Sequence, residues 1–440
     1  MVFMKNLLST LEPLLARLPV TASVELPSGE RIGSERSAVQ LIFRSPKAVA
    51  ALLDGQIGSI GSAIVEGWVE VKGSSRDIMA AAAGLLRGDP VGHTPSWLGQ
   101  TVSKARSLAM HTLTRDAEQI QFHYDLSDDF YALWLDPRRV YSCAYYKEQG
   151  MSLAQAQEAK LDHICKKLKL QPGERFWDIG SGWGGLIFWA AEHYGVQAHG
   201  ITLSRNQFEH VQRLIAEKGL QGKVQVELRD YRQMGDVEPF DKIGSVGMFE
   251  HVGSANLQEY FETIYSMLRP GGLALVHGIT AGGVSNVELG AGMGEFINRY
   301  IFPGGELMHV SRVLHDLAAS GLEMVDTENL RPHYARTLWA WSDALEAALE
   351  PARQVLLAQT GPERADKALR AYRLYLAGSA LGFERGWMAL HQMLAVHPDG
   401  NMGSGTLTGA QSDYPFTRDY IYTEAPTSCS TNSNPAPLPI

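Results

Sequence analysis

Apolar residues along the chain gather into short runs and helical stripes whose order predicts a mixed α/β sheet. The clearest run, Phe176-Trp177-Asp178, is a buried strand ending at Asp178 and leading into Ile179-Gly180-Ser181-Gly182-Trp183-Gly184-Gly185. That stretch predicts a tight glycine-rich turn with a helix opening near Gly185. A second strand is expected over 196–202 and another ending near Val246. Then come a helix closing at Met267-Leu268-Arg269-Pro270-Gly271-Gly272 and an apolar strand over 273–276. Residues 282–310 are glycine-rich and read as an inserted lid. Beyond them a strand is expected over 322–330, long helices over 335–358 and 362–386, and a last strand over 387–396.

The first ninety residues are patterned differently. Leu7, Leu8, Leu11, Leu14, Leu15 and Leu18 form a helical apolar stripe, expected to pack on the body. Short strands over 20–26 and 39–43 flank the turn Pro27-Ser28-Gly29-Glu30, and Ser45-Pro46 opens a helix to Leu53. Residues 63–71 alternate like a strand, and 77–86 are helical. The expected division is a small α+β domain over 1–90, a linker and helix over 91–115, a catalytic α/β domain over 116–423, and a Pro/Ser/Asn-rich disordered tail over 424–440. A helix over 104–122 leads into the second domain.

Composition narrows the partners. A net charge of −9 excludes nucleic acid as a general partner and argues against broad attraction to an acidic membrane. Lys166, Lys167, Lys169 and the pair Arg138-Arg139 are local basic spots, expected to be solvated helix faces. Cys143, Cys165 and Cys429 make neither a disulfide framework nor a zinc spacing, so no metal is expected. Such usage suits a reducing cytoplasm. No run reaches the roughly 18 apolar residues of a membrane span, and Glu12 inside the leucine stripe makes it a poor signal peptide.

Glycines after a strand let a ligand touch backbone, and the following helix N-terminus favours a ligand's negative end. A dinucleotide would also want an acid about 20 residues after the first glycine. Here the second strand ends in Thr202-Leu203-Ser204-Arg205-Asn206-Gln207, with no carboxylate. The later strand, amphipathic helix, Leu-Arg-Pro-Gly-Gly and further strand look like the second half of an S-adenosylmethionine-dependent methyltransferase.

Five separated motifs sharpen that likeness. Tyr141-Ser142-Cys143-Ala144-Tyr145-Tyr146, Asp178-Ile-Gly-Ser-Gly-Trp-Gly-Gly185, Gly247-Met-Phe-Glu-His-Val-Gly253, Tyr300-Ile-Phe-Pro-Gly-Gly305 and Arg331-Pro-His-Tyr-Ala335 together resemble the cyclopropane-fatty-acyl-phospholipid synthases. Mycolic acid cyclopropane synthases share most of them. The resemblance covers about residues 105–423, and the 20–90 unit looks like the lipid-binding domain of the bacterial enzymes. It implies a Rossmann-like class I methyltransferase sheet with an inserted helical lid. The implied reaction is methylene transfer from S-adenosylmethionine to the cis double bond of a phospholipid acyl chain, releasing S-adenosylhomocysteine and forming a cyclopropane. It also implies a homodimer, in the cytoplasm and peripheral to the inner face of the membrane.

Site residues are carried over from the resemblance position by position. A bound bicarbonate as general base would be held by Cys143, Glu250, His277, Tyr334 and the backbone of Ile279. For the donor, Gly180 and Gly182 would approach the methionine portion, and Asp178 would hold its amine. Thr202, Leu203 and Gln207 would meet the ribose and adenine edge, Asp230 and Tyr231 the adenine, and Tyr141 and Ser142 would close over it. Tyr145, Tyr146, Tyr300 and Phe302 are expected around the acyl chain, where aromatic faces stabilise a carbocation. Two departures stand out: Ser379 occupies a late-helix position that is often cysteine, so no thiol chemistry carries over there, and Tyr146 replaces a common tryptophan. Methylation without ring closure, a non-catalytic lipid carrier and a small-molecule methyltransferase are the alternatives.

Overall fold

The amino-terminal runs pair into a small sheet. A computed structural model describes residues 11–53, 56–86, 90–91, 128–284, 289–399 and 417–423. The expected helix over 104–122, the tail over 424–440, and Leu7 and Leu8 lie outside them. Strands β1 (Ala22–Glu25), β2 (Arg31–Ile32), β3 (Val39–Phe43) and β4 (Val69–Lys72) lie in the order β2-β1-β3-β4, with β1 and β3 parallel. Leu11, Val24, Phe43, Ile64 and Val69 pack together against it. The expected strand over 63–71 is wrong in its first half: Ala63–Val65 is the last turn of the helix Ile57–Val65. Glycine disfavours helix, but Gly58 is needed here. A Cβ on it would lie 1.9 Å from the Gly292 carbonyl oxygen, and its N–H donates to the Ala291 carbonyl at 2.9 Å.

The main sheet has seven strands: β5 (Arg175–Ile179), β6 (Gln197–Thr202), β7 (Val224–Leu228), β8 (Phe240–Val246), β9 (Leu268–Ala281), β10 (Glu323–Asn329) and β11 (Met388–Val396). Their order is β10-β11-β9-β8-β5-β6-β7. Strands β7, β6, β5, β8 and β9 run parallel, and β11 is antiparallel to both neighbours. The central strands β5, β8 and β9 are buried along most of their length, as helices on both faces require. The chain proceeds outward from β5 through β6 and β7, then returns to β8 on the other side. A crevice therefore opens beyond the carboxyl ends of β5 and β8.

The helices mostly match expectation, with one break. Residues 335–358 are not one helix but parts of Arg331–Ala347 and Leu349–Thr360. Pro351 has no N–H to give Ala347, and its ring crowds that carbonyl. The helix Leu153–Lys167 opens on a capping box, Ser152 accepting from the Gln155 N–H while Gln155 accepts from that of Ser152. It then turns Gln157, Lys160, His163 and Lys167 inward, all buried. The expected solvated Lys167 is thus wrong: its Nζ donates to Glu328 at 2.6 Å, and His163 meets the same carboxylate at 2.8 Å.

Glu328→Gln is accordingly expected to cost about 3 kcal/mol, because it leaves the buried Lys167 ammonium with only Asp326, at 4.0 Å, as counter-charge. Urea denaturation at pH 7.5 measures it. Burial raises the Glu328 carboxyl, but the His163 hydrogen bond and the Lys167 charge outweigh that and bring it down to about 2, from an ordinary 4.5. A depressed folded-state value stabilises above the ordinary value. The wild-type contribution should therefore hold above about pH 4.5 and fade as pH falls toward 2.

Candidate active site

The crevice at the sheet's carboxyl edge is a cavity, and its walls come from four places. Asp178 is near the end of β5, with Gly180 and Gly182 after it; Thr202 ends β6, with Leu203 and Gln207 after it; Asp230 and Tyr231 follow β7; Tyr141 and Ser142 come from the segment before the Leu153–Lys167 helix. All ten expected donor contacts line this one space. Gly180 and Gly182 have φ of 81° and 56°, and a Cβ on Gly182 would meet nothing within 4 Å. The backbone is bare to the cavity there. Thr202 and Gln207 are joined at 2.8 Å, and Thr202 Oγ1 accepts from the Ser204 N–H, which fixes that rim. Asp230 is spent differently from expectation: both its oxygens accept from the Arg232 guanidinium at 2.8 Å.

Lys160 and Trp183 also line the cavity, and neither was foreseen. The Lys160 ammonium donates to Ser142 Oγ at 2.9 Å, and Gln157 donates to the carbonyls of Val140 and Ser142. One helix thus holds the Tyr141–Cys143 segment in place. Burial pulls Lys160 down to about 8, although Cys143, Asp136 and Asp178 oppose it. Burial likewise pushes Asp178 up to about 7, against the pull of Lys160. Asp178 Oδ1 has no hydrogen-bond partner among the described residues.

Beyond Tyr141, Ser142, Gly247 and His251, which line both spaces, lies a second cavity of about 280 Å³. Its walls are mainly apolar, from Ile60, Ile64, Ile78, Met79 and Leu86 on one side and Leu338, Leu374, Leu381 and Phe383 on another. Cys143, Glu250, His277, Ile279 and Tyr334 all line it. Their placement follows from local structure. Glu250 is the second residue of the short helix Phe249–Val252 after β8, His277 and Ile279 lie on β9, and Tyr334 is in the first turn of Arg331–Ala347. The Ile279 N–H donates to Glu250 Oε1 at 2.6 Å, so this amide serves the carboxylate. Gly278 permits the contact, because a Cβ there would lie 2.3 Å from Phe249 Cε1 and 2.9 Å from Glu250 Oε1.

Two polar atoms at this wall are left over. Glu250 Oε2 and His277 Nε2 are buried without hydrogen-bond partners among the described residues. The Gln392 amide donates to His277 Nδ1 at 3.2 Å, which leaves the ring proton on Nε2. Burial keeps His277 neutral, well below its ordinary value, and pushes Glu250 up to about 7. It also raises the Cys143 thiol, which stays protonated and donates to the Ala144 carbonyl at 3.2 Å. A donor and an acceptor thus face an apolar space next to the glycine-rich cleft.

Of the expected aromatic wall, only Phe302 lines the cavity. Tyr145 is instead stacked between His163 and His333, with ring centroids at 4.1 and 4.7 Å. Tyr146 lies under Arg336 at 4.0 Å. Tyr300 packs on Phe296, and its hydroxyl reaches Glu66. Ser379 does line the cavity. Tyr141 has rings on several sides: Trp134 and Trp341 at 5.3 Å and Tyr131 at 5.5 Å. Among the missed residues, Gly278 carried a readable signal, since a glycine inside a strand marks close approach.

Comparison with known proteins decides the family. Residues 111–393 match the mycolic acid cyclopropane synthetase family. The chain belongs to that family. A probable fatty acid methyltransferase of Pseudomonas putida is 39% identical over 417 residues, covering 94% of this chain and all of that one. Cyclopropane mycolic acid synthase 1 of Mycobacterium tuberculosis is 38% identical over 281 residues, 62% of this chain and 94% of its own. Among solved structures, mycolic acid cyclopropane synthase CmaA1 complexed with S-adenosylhomocysteine and CTAB superposes with a TM-score of 0.58 at 36% identity. It covers 64% of this chain and 98% of its own. The seven-stranded sheet of this family member is therefore a Rossmann-like methyltransferase core, to which a small α+β sheet domain is joined at the N-terminal side. Among the described residues no helix is long and apolar enough to cross a membrane.

Proposed function

We propose that this protein transfers a one-carbon unit from S-adenosylmethionine to the cis double bond of an unsaturated phospholipid acyl chain at a membrane surface, and closes a cyclopropane ring. One observation carries the reading: the glycine-lined cleft and the apolar cavity meet at Tyr141, Ser142, Gly247 and His251, beside a buried carboxylate and imidazole. The donor's sulfonium would lie at that junction, with its methyl directed at a chain in the apolar space. The alkene's electron pair forms a bond to the methyl carbon as the carbon–sulfur bond breaks, leaving S-adenosylhomocysteine and a carbocation. Loss of a proton from the added methyl group then closes the ring.

The chain's own groups suit those steps. The apolar walls exclude water that would capture the cation, and the neutral Cys143 and His277 offer it no strong nucleophile. Phe302 and Tyr334 present rings to the same space. The unpartnered Glu250 Oε2 and the His277 Nε2–H fit a small planar oxyanion that both donates and accepts, as bicarbonate does. Cys143, Glu250, His277 and Tyr334 would hold it, and bicarbonate would supply the base that takes the methyl proton. Ile279 would contribute through Glu250, since its amide is already engaged.

A second reading keeps the same substrates but stops short of the ring, giving a methylated chain. The 39% identity to a probable fatty acid methyltransferase over nearly the whole chain favours it. Incubation with methyl-labelled donor and liposomes of monounsaturated phospholipid tests both. Label should enter the fatty acids, and NMR against cyclopropane and branched standards should show ring protons. A branched product would select the second reading, and donor binding with no label in lipid would remove both.

A further inference from the structure

A third cavity, about 260 Å³, lies between the N-terminal sheet and the helix Pro362–Glu384. We propose that it seats the phosphodiester of the phospholipid whose acyl chain fills the apolar cavity, a proposal that rests on the acyl-chain reading above. Ile64, Ile78, Met79 and Leu374 line both spaces, so the two cavities adjoin across four apolar side chains.

The charges around this cavity leave one cation over. Arg44 is paired with Glu70 at 2.5 Å. Arg373 holds Glu346 by two hydrogen bonds, 2.7 and 2.9 Å, and Ser75 donates to the same carboxylate. Arg370 has no carboxylate within 4 Å among the described residues. Its Nε donates to the Val65 carbonyl at 2.9 Å, which holds the guanidinium against the cavity. Across from it Gly67 has no side chain, and a Cβ there would already lie 3.5 Å from Arg370 Nη2. A half-buried guanidinium with unspent donors is suited to a phosphate, which it binds through two parallel hydrogen bonds.

The rim indicates that the phosphate belongs to a lipid. The Arg44 N–H donates to the Trp68 carbonyl, Trp68 is exposed, and Lys47 Nζ lies 5.5 Å from its ring. Tryptophan and lysine together are the residues that settle at the headgroup level of a bilayer. In a chain of net charge −9, such a rim is a local device rather than a general attraction to anions.

The test compares a monounsaturated phosphatidylglycerol with the matching diacylglycerol, each dispersed in neutral detergent, for binding to the full chain. The wild type should bind the phospholipid at least roughly tenfold more tightly. Arg370→Met should erase that preference and leave diacylglycerol affinity unchanged, while Arg370→Lys keeps part of it. Undiminished S-adenosylhomocysteine binding shows that the variants are folded. Equal affinities in the wild type, or a preference that survives Arg370→Met, overturns the proposal. So does inorganic phosphate that raises the wild-type Tm but not that of Arg370→Met while the two lipids bind alike, which would assign the cavity to free phosphate. A clear lipid preference without methylation of either lipid leaves the seat standing and removes the acyl-chain chemistry instead.

Discussion

Glu250→Gln is expected to lower kcat by about 10³-fold, the scale of a lost acid–base partner, while S-adenosylhomocysteine binds as before. The separation is possible because Glu250 lines the apolar cavity and not the glycine-lined cleft. Glutamine keeps an acceptor for the Ile279 N–H, so the backbone of β9 stays in place. What it removes is negative charge on the unpartnered oxygen. Burial places the Glu250 carboxyl at about 7 in the folded protein. Turnover should therefore rise with pH through about 7 as the carboxylate ionises. Stability runs the other way. The folded state holds the proton more tightly than the unfolded chain, whose value is near 4.5, so this group's cost grows as pH rises from about 4.5 to 7. Above pH 7 Glu250→Gln should be the more stable protein, by on the order of 2 kcal/mol. Single-turnover assays, calorimetric binding and thermal denaturation at pH 6 and 8 measure the three effects. Near-normal turnover would remove Glu250 from the chemistry.

Where local geometry dictated the residue type, the sequence was readable. The strand–glycine–helix at 176–185 could be placed because only glycine suits its left-handed turns and bare backbone. The positions that the family resemblance implies for the donor lie together because sheet topology brings the ends of β5, β6 and β7 to one edge. The failures share a cause, which is that the deciding partner is distant in the chain. Alternation over 63–71 looked like a strand because nothing nearby announces that Gly58 will meet Gly292. Lys167 looked like part of a solvated run because Glu328, which buries it, lies 161 residues on. Tyr145 and Tyr146 are expected around the acyl chain from the resemblance and their aromatic faces, and neither carries information about direction. His333 and Arg336, from another helix, turn both rings away from it.

Lys160 shows what such distant partnerships can add. It sits on the buried polar face of the helix Leu153–Lys167, with Gln157, His163 and Lys167, and lines the glycine-lined cleft with Asp178. A donor's methionine arm carries one carboxylate and one ammonium. Lys160 is complementary to the first, and the unpartnered Asp178 Oδ1 to the second. Lys160→Met is expected to weaken S-adenosylhomocysteine binding about 30-fold, roughly 2 kcal/mol for a charge-assisted contact in a dry site. Binding of 5′-methylthioadenosine, which lacks that arm, should change little. The pH dependence supplies a second signature. Asp178 must ionise, near 7, and Lys160 must stay protonated, below about 8. Affinity for S-adenosylhomocysteine should therefore peak in that narrow interval, while affinity for 5′-methylthioadenosine stays flat across it. Titration calorimetry with both ligands at pH 6.5, 7.5 and 8.5 separates the cases. Equal losses for the two ligands would mean that Lys160 acts only by holding Ser142, and that the methionine arm is bound by backbone.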